Sequence, residues 1–127
     1  MFHLVFAVTV ASLVARCDGS PPTAPSRNLF AIRACNEIFR VRIDDDSVAR
    51  QAADLVGKGN RKIICGIVRT GDGGFNAPWP WHLDPASIVF TDVTPEIYDG
   101  CPRGAENRAG SLVSSLCPWT TEVIRRE

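Results

Sequence analysis

The residues with the chemistry to act on a substrate are few, and most sit in one stretch: His82, Asp84 and Ser87, at the end of the run Pro78-Trp79-Pro80-Trp81-His82-Leu83-Asp84-Pro85. Residues two apart on an extended backbone share a face. His82 and Asp84 could therefore work as a base and its orienting acid on a serine or threonine hydroxyl, which is hydrolase chemistry. No G-x-S-x-G turn is present to hold such a serine. A structural role explains the same pair more simply: the imidazole hydrogen-bonds a backbone carbonyl, and the carboxylate caps the turn that Pro85 begins. Asp92, Glu96 and Asp99 are each accounted for by turns and solvated faces, so no paired carboxylates for glycoside chemistry are indicated. The chain is read as non-catalytic.

The five cysteines divide between two regions. Cys17 follows an apolar run over residues 4–15 that is too short to cross a bilayer and stands where a secretory signal belongs. Residues 1–19 are expected to be a signal peptide cut after Gly19, with a cut after Cys17 as the alternative. Residues 20–28 would form a flexible Pro/Ser-rich leader and residues 29–127 the folded domain. The remaining Cys35, Cys65, Cys101 and Cys117 form an even set, expected in a secreted chain to close two disulfides, with three connectivities open. No C-x-x-C pair occurs and His82 is the sole histidine after the signal, so neither a metal site nor a cofactor is expected. The run Asp44-Asp45-Asp46 lacks the spacing of a calcium-binding EF-hand and reads as a helix cap.

Lys and Arg number 14, as do Asp and Glu, and the basic residues are dispersed among the acids. That pattern excludes the basic stripe of a nucleic-acid binder and the charged face of a membrane-surface helix. No later segment is apolar enough to span a membrane.

These side chains need elements to position them. Residues 29–32 and 38–43 read as strands; in the second, Phe39, Val41 and Ile43 fall on one face and Arg40 and Arg42 on the other. A helix follows from Asp44-Asp45-Asp46-Ser47, with Val48, Ala52, Leu55 and Val56 as its apolar face and Gly57 and Gly59 as its end. Residues 62–68 form a β-branched strand, and the strand-helix-strand order predicts a right-handed βαβ-like unit. A long connection over 70–87 carries Gly and Pro turns and three large aromatics. Strands at 88–93 and 120–124, a bend over 95–100 and weakly helical or irregular structure over 104–116 complete the reading. The fold class expected is α+β: a small single domain with one main helix, about four strands in a mostly antiparallel or mixed sheet, and two disulfides.

The string Pro78-Trp79-Pro80-Trp81-His82-Leu83-Asp84-Pro85, then Ser87-Ile88, Phe90 and Glu96-Ile97, and finally Cys117-Pro118-Trp119 with Val123, resembles the amino-terminal domain of a slime-mould calmodulin-binding protein. Similar domains occur in small secreted proteins of bacteria and invertebrates. The resemblance covers residues 38–125, and its most specific parts are W-x-W/F-H-L-D-P and C-P-W. It implies that Cys101 pairs with Cys117 to fix the Cys-Pro-Trp corner beside the aromatic loop, leaving Cys35–Cys65 as an addition. The family's first cysteine is expected near Tyr98, whereas this chain has Cys101. No activity of the domain itself follows. Calmodulin is cytosolic, and no basic amphipathic helix of its target type is present, so calmodulin is not an expected partner.

What remains is binding. A monomer is expected to meet an extracellular protein or glycan through Asp72, Gly73, Gly74, Phe75, Asn76, Ala77, Trp79, Trp81, His82 and Asp84, because large rigid aromatics bind at low entropic cost. The alternative is a protease inhibitor that projects Phe75, Asn76 or Ala77 from an exposed tip over residues 72–77. Trp79, Trp81 and Trp119 are expected in the core.

Overall fold

The computed structural model describes residues 28–94, 98–111 and 114–127. The expected signal peptide and all but the last residue of the leader lie outside them, as does part of the expected bend at 95–100.

Strand β1 (Leu29–Ala34) turns into β2 (Glu37–Arg42) through Cys35 and Asn36, whose φ angles of 53° and 61° fit the left-handed pair that a two-residue hairpin needs. Along β2, Phe39 and Val41 are buried while Arg40 and Arg42 face outward, as the alternation predicts. Helix α1 (Asp46–Leu55) starts where the Asp45 carboxylate accepts from the Ser47 and Val48 amides at 2.8 and 3.0 Å. Ala49 and Ala52 form its buried stripe, and Gly57 ends it in a left-handed conformation with its N–H donating to Val123 O.

Strand β3 (Ile63–Thr70) is the spine of a second sheet and changes partner along its length. Its first third pairs with β5 (Val89–Thr91), its middle with β6 (Ser115–Leu116) and its last third with β4 (Trp81–Leu83). Ser87 makes the change of partner possible. Its hydroxyl accepts the Ile67 N–H at 2.8 Å and donates to Asp84 O at 2.7 Å, so Ile67 is satisfied between β4 and β5. The last strand, β7 (Glu122–Arg126), returns to pair with β1, giving the first sheet the order β2-β1-β7. A 3-10 helix (Pro102–Arg108) packs against β2, β3 and β6. One core joins the two sheets, centred on Phe30, Ile32, Phe39, Val41, Ile64, Trp81, Leu83 and Leu116.

The class is α+β in a small single domain with antiparallel strands, one main helix and two disulfides, as expected. The strands divide between a three-stranded and a four-stranded sheet. The expected βαβ unit does not form, because β2 and β3 lie in different sheets and the strand pairs among the described residues are antiparallel. β2 takes its partner from the adjacent hairpin, which leaves β3 to find partners later in the chain.

The disulfide pairing implied by the resemblance is corrected: Cys101 bonds to Cys35, and Cys117 bonds to Cys65. Register explains the second pair. Gly66 faces Leu116, which sets Cys65 opposite Cys117 with Cα atoms 4.4 Å apart. Cys101 precedes the 3-10 helix that packs beneath the β1–β2 hairpin, which brings it to Cys35 at 5.5 Å.

Candidate functional site

The loop between β3 and β4 is a chain of turns closed at its base by the Gly71 N–H donating to Pro80 O at 2.9 Å. Asp72 organises the first turn: its carboxylate accepts the Gly74 N–H at 2.8 Å, and its carbonyl accepts from Phe75 and Asn76. The Trp79 N–H then donates to Asn76 O at 3.0 Å.

Two side chains sew this loop to β2. Asn76 Oδ1 accepts the Arg40 N–H at 2.8 Å, while its Nδ2 donates to Trp81 O at 2.7 Å. The Trp79 indole N–H donates to Ile38 O at 2.8 Å. Side chains thereby supply the bonds that a neighbouring strand would otherwise give along the outer edge of β2. Asn76 is consequently 1% exposed, not part of a solvent-facing tip. Its burial corrects the expected tip, which is reduced to Asp72, Gly73, Gly74 and Ala77, with Phe75 half-buried.

The aromatic residues separate into supports and surface. Trp81 is buried, with ring centroids of Phe39 at 5.3 Å and Trp79 at 6.0 Å. Trp79 is half-buried against it. Trp119, expected in the core, is 51% exposed. Cys117 and Pro118 occupy the buried positions of that corner, and the Trp119 N–H donates to Asp99 O at 3.0 Å as the chain turns outward.

His82 and Asp84 hold the loop's flanks. His82 Nδ1 lies 2.7 Å from Gly71 O, and the imidazole meets Phe75 edge-on at 5.6 Å. Gly73 is required beneath this ring: its φ is +66°, and a Cβ would come within 2.7 Å of the imidazole. The Asp84 carboxylate accepts from Arg69 at 2.9 and 3.2 Å and from the Ala86 N–H at 3.0 Å. The Arg69 hydrogen bonds, followed by the Ala86 amide, hold its carboxyl below the ordinary value of 3.8. Asp84 therefore serves Arg69 and the turn, while the Ser87 hydroxyl is engaged in bridging Ile67 to Asp84.

The loop tip and the outer face of β2 enclose a groove of about 470 Å³. Arg40 and Arg42 form one wall, and Asp72, Gly74, Phe75 and Ala77 the other. The Arg42 guanidinium lies 5.2 Å from the centre of the Phe75 ring. At the groove's end, Glu127 pairs with Arg40 at 3.2 Å and with Arg125 at 2.9 Å. The binding residues expected from sequence thus part company: Asp72, Gly73, Gly74, Phe75 and Ala77 reach the surface, whereas Asn76, Trp81, His82 and Asp84 build the support. Arg40 and Arg42 were not anticipated as part of the site. Their signal was the strand alternation, which put them opposite Phe39 and Val41.

A family model for the N-terminal domain of the calmodulin-binding protein BP-74 matches residues 26–127. The chain belongs to that family. Searches of the curated proteins and of the solved structures return no match. In this member of the BP-74 family the string Trp79-Pro80-Trp81-His82-Leu83-Asp84-Pro85 builds β4 and its turn, and Cys117-Pro118 clamps the end of β6 to β3. Both strings thus have mainly architectural work, with Trp119 as their exposed aromatic residue.

Proposed function

We propose that this domain is a secreted, non-catalytic binding module that engages an extracellular protein or glycan through the groove between the loop tip and β2. One observation carries the reading: the tip is fixed in advance by the Asn76 and Trp79 bonds to β2, so a partner meets a preformed surface and little ordering entropy is lost on binding. The Arg42–Phe75 pair supplies an aromatic face and a planar cation within that surface. Two disulfides are compatible with an extracellular setting. Among the described residues no helix is long and apolar enough to cross a membrane.

The non-catalytic reading rests on His82 and Ser87 both being committed to bonds that hold the loop. Protease inhibition has weaker support, since an inhibitory segment lies extended in a cleft and this loop is a succession of turns around a buried Asn76. The test screens the purified domain against a glycan array and a panel of extracellular proteins, alongside Arg42→Ala and Phe75→Ala. Binding lost in both variants supports the groove. A partner bound equally well by both refutes it, and stoichiometric inhibition of a protease would establish the competing role.

A further inference from the structure

The two disulfides differ in their surroundings. Cys65 and Cys117 are 9% and 3% exposed, inside the β3–β6 junction. Cys35 is exposed and Cys101 half-buried, and their bond opens onto a surface cleft shared with Glu37, Asp99 and Arg103. Thiol–disulfide exchange requires a thiolate to reach a sulfur, so access separates the two bonds. What each bond holds also differs. The hairpin at Cys35 is kept by its pairing with β7 and by the β1–β2 ladder, and the 3-10 helix after Cys101 is seated by buried Pro102 and Ala105. A second link, Arg103 to Glu37 at 3.7 Å, joins the same two elements. β6, by contrast, is two residues long and stops just before Cys117, and its fully buried Leu116 sets the Cys65–Cys117 bond inside the core, out of reach of an external thiolate.

We infer that Cys35–Cys101 is a site of thiol–disulfide exchange, opened by an external dithiol while the domain stays folded and Cys65–Cys117 stays closed. One thiolate of the dithiol attacks Cys35 Sγ, in the more exposed residue of the pair. The Sγ–Sγ bond breaks, Cys101 leaves as a thiolate, and a mixed disulfide forms on Cys35. The second thiol then attacks the dithiol's own sulfur in that mixed bond and releases Cys35. Two electrons pass to the protein, the dithiol becomes a disulfide, and its two protons end on Cys35 and Cys101.

Asp99 sets the rate. Its carboxylate has an oxygen within 4.8 Å of both sulfurs and accepts the Cys101 N–H at 3.3 Å, so a negative charge stands beside the bond and opposes both the incoming and the leaving thiolate. Opening the bond also removes the covalent tie from the strap that carries Asp99 and Gly100. That strap supports the Cys-Pro-Trp corner, since Asp99 O accepts the Trp119 N–H and Gly100 lies against the Pro118 backbone. The site is therefore a redox handle on the exposed Trp119.

The oxidised full chain is treated with graded dithiothreitol, alkylated at intervals and mapped by mass spectrometry. Cys35 and Cys101 should be labelled about tenfold or more ahead of Cys65 and Cys117, with far-ultraviolet circular dichroism unchanged at that stage. Amide exchange at Trp119 should rise while β3 stays protected. Asp99→Asn, which keeps an acceptor for Cys101, should speed the first opening several-fold. The paired substitution Cys35→Ser with Cys101→Ser should still melt cooperatively. Simultaneous labelling of all four cysteines, earlier opening of Cys65–Cys117, loss of structure with the first bond, no acceleration in Asp99→Asn, or a double variant that fails to fold would each overturn the assignment.

Discussion

Replacing Asn76 with Ala tests the join between the loop and the first sheet directly. The side chain is 1% exposed and bridges the Arg40 N–H and Trp81 O at 2.8 and 2.7 Å. Truncation strands one donor and one acceptor, each costing about 1–3 kcal/mol when water cannot replace the partner. The Arg40 bond is only partly buried, so its share lies at the low end, and the total is about 3 kcal/mol. Against a domain stability of roughly 5–15 kcal/mol this is a large fraction. It corresponds to a fall in melting temperature of about 12 °C or more for a domain of this size. Urea denaturation followed by circular dichroism reads the difference. Asn76→Asp separates the two bonds, because a carboxylate still accepts from Arg40 but sets an oxygen against Trp81 O. It should be no more stable than the Ala variant at neutral pH. A loss below about 1 kcal/mol in Asn76→Ala, or wild-type stability in Asn76→Asp, would refute the bridging role.

Three further outcomes are expected. His82→Gln should lower stability by about 1 kcal/mol through loss of the Gly71 contact, measured by thermal melting; a hydrolytic activity present in the wild type and abolished by this change would instead establish catalysis. Gly100→Ala should cost about 2 kcal/mol or more, because φ is +69° and the new Cβ would lie 2.6 Å from Pro118 Cα, a backbone atom that cannot swing aside; chemical denaturation at matched pH measures it. Asp84 has a folded pKa below its unfolded value near 3.8, so its contribution to stability is full above that value and is lost as pH falls below it through the folded pKa. Asp84→Asn should therefore flatten the acid limb of a stability-against-pH series while leaving its shape near neutrality unchanged.

How much of this was legible in the sequence depended on whether the cause was local. Phe39, Val41 and Ile43 announced a half-buried strand because alternation is a property of the strand itself. The run Asp44-Asp45-Asp46-Ser47 announced the helix start, since an acidic side chain caps amides two and three residues on, and Asp45 is the one that does so. The turn-capping use of Asp84 was legible for the same reason, since its backbone partner Ala86 is two residues on, whereas the His82 partner, Gly71, lies across the loop. Strands β4 and β6 were hidden, being three and two residues long and too short to show a period. The disulfide pairing was hidden because it follows from the β3–β6 register, which joins Cys65 to a partner 52 residues away in sequence. Asn76, in a Gly- and Pro-rich stretch, carries the composition of an exposed turn. Its burial comes from the edge of β2, which is 36 residues away at Arg40. Trp119 misled in the opposite direction: size and apolarity suggest a core position, but Cys117 and Pro118 had already filled it.

The pairing of β1 with β7 bears on how the domain comes to be made. Ile32 pairs with nearby Phe39 on one side but finds its second neighbour only at Val123, and Gly66 in β3 meets β6 only at Leu116. Contacts so distant along the chain must close large loops before they return any energy, which slows folding. During synthesis the β1–β2 hairpin and α1 emerge first with their apolar faces uncovered, and the first sheet cannot be completed until β7 has left the ribosome. Folding of the first sheet therefore waits for β7, and a chain arrested before β7 would present Phe30 and Ile32 on an open strand edge, as a ready substrate for chaperones or for aggregation.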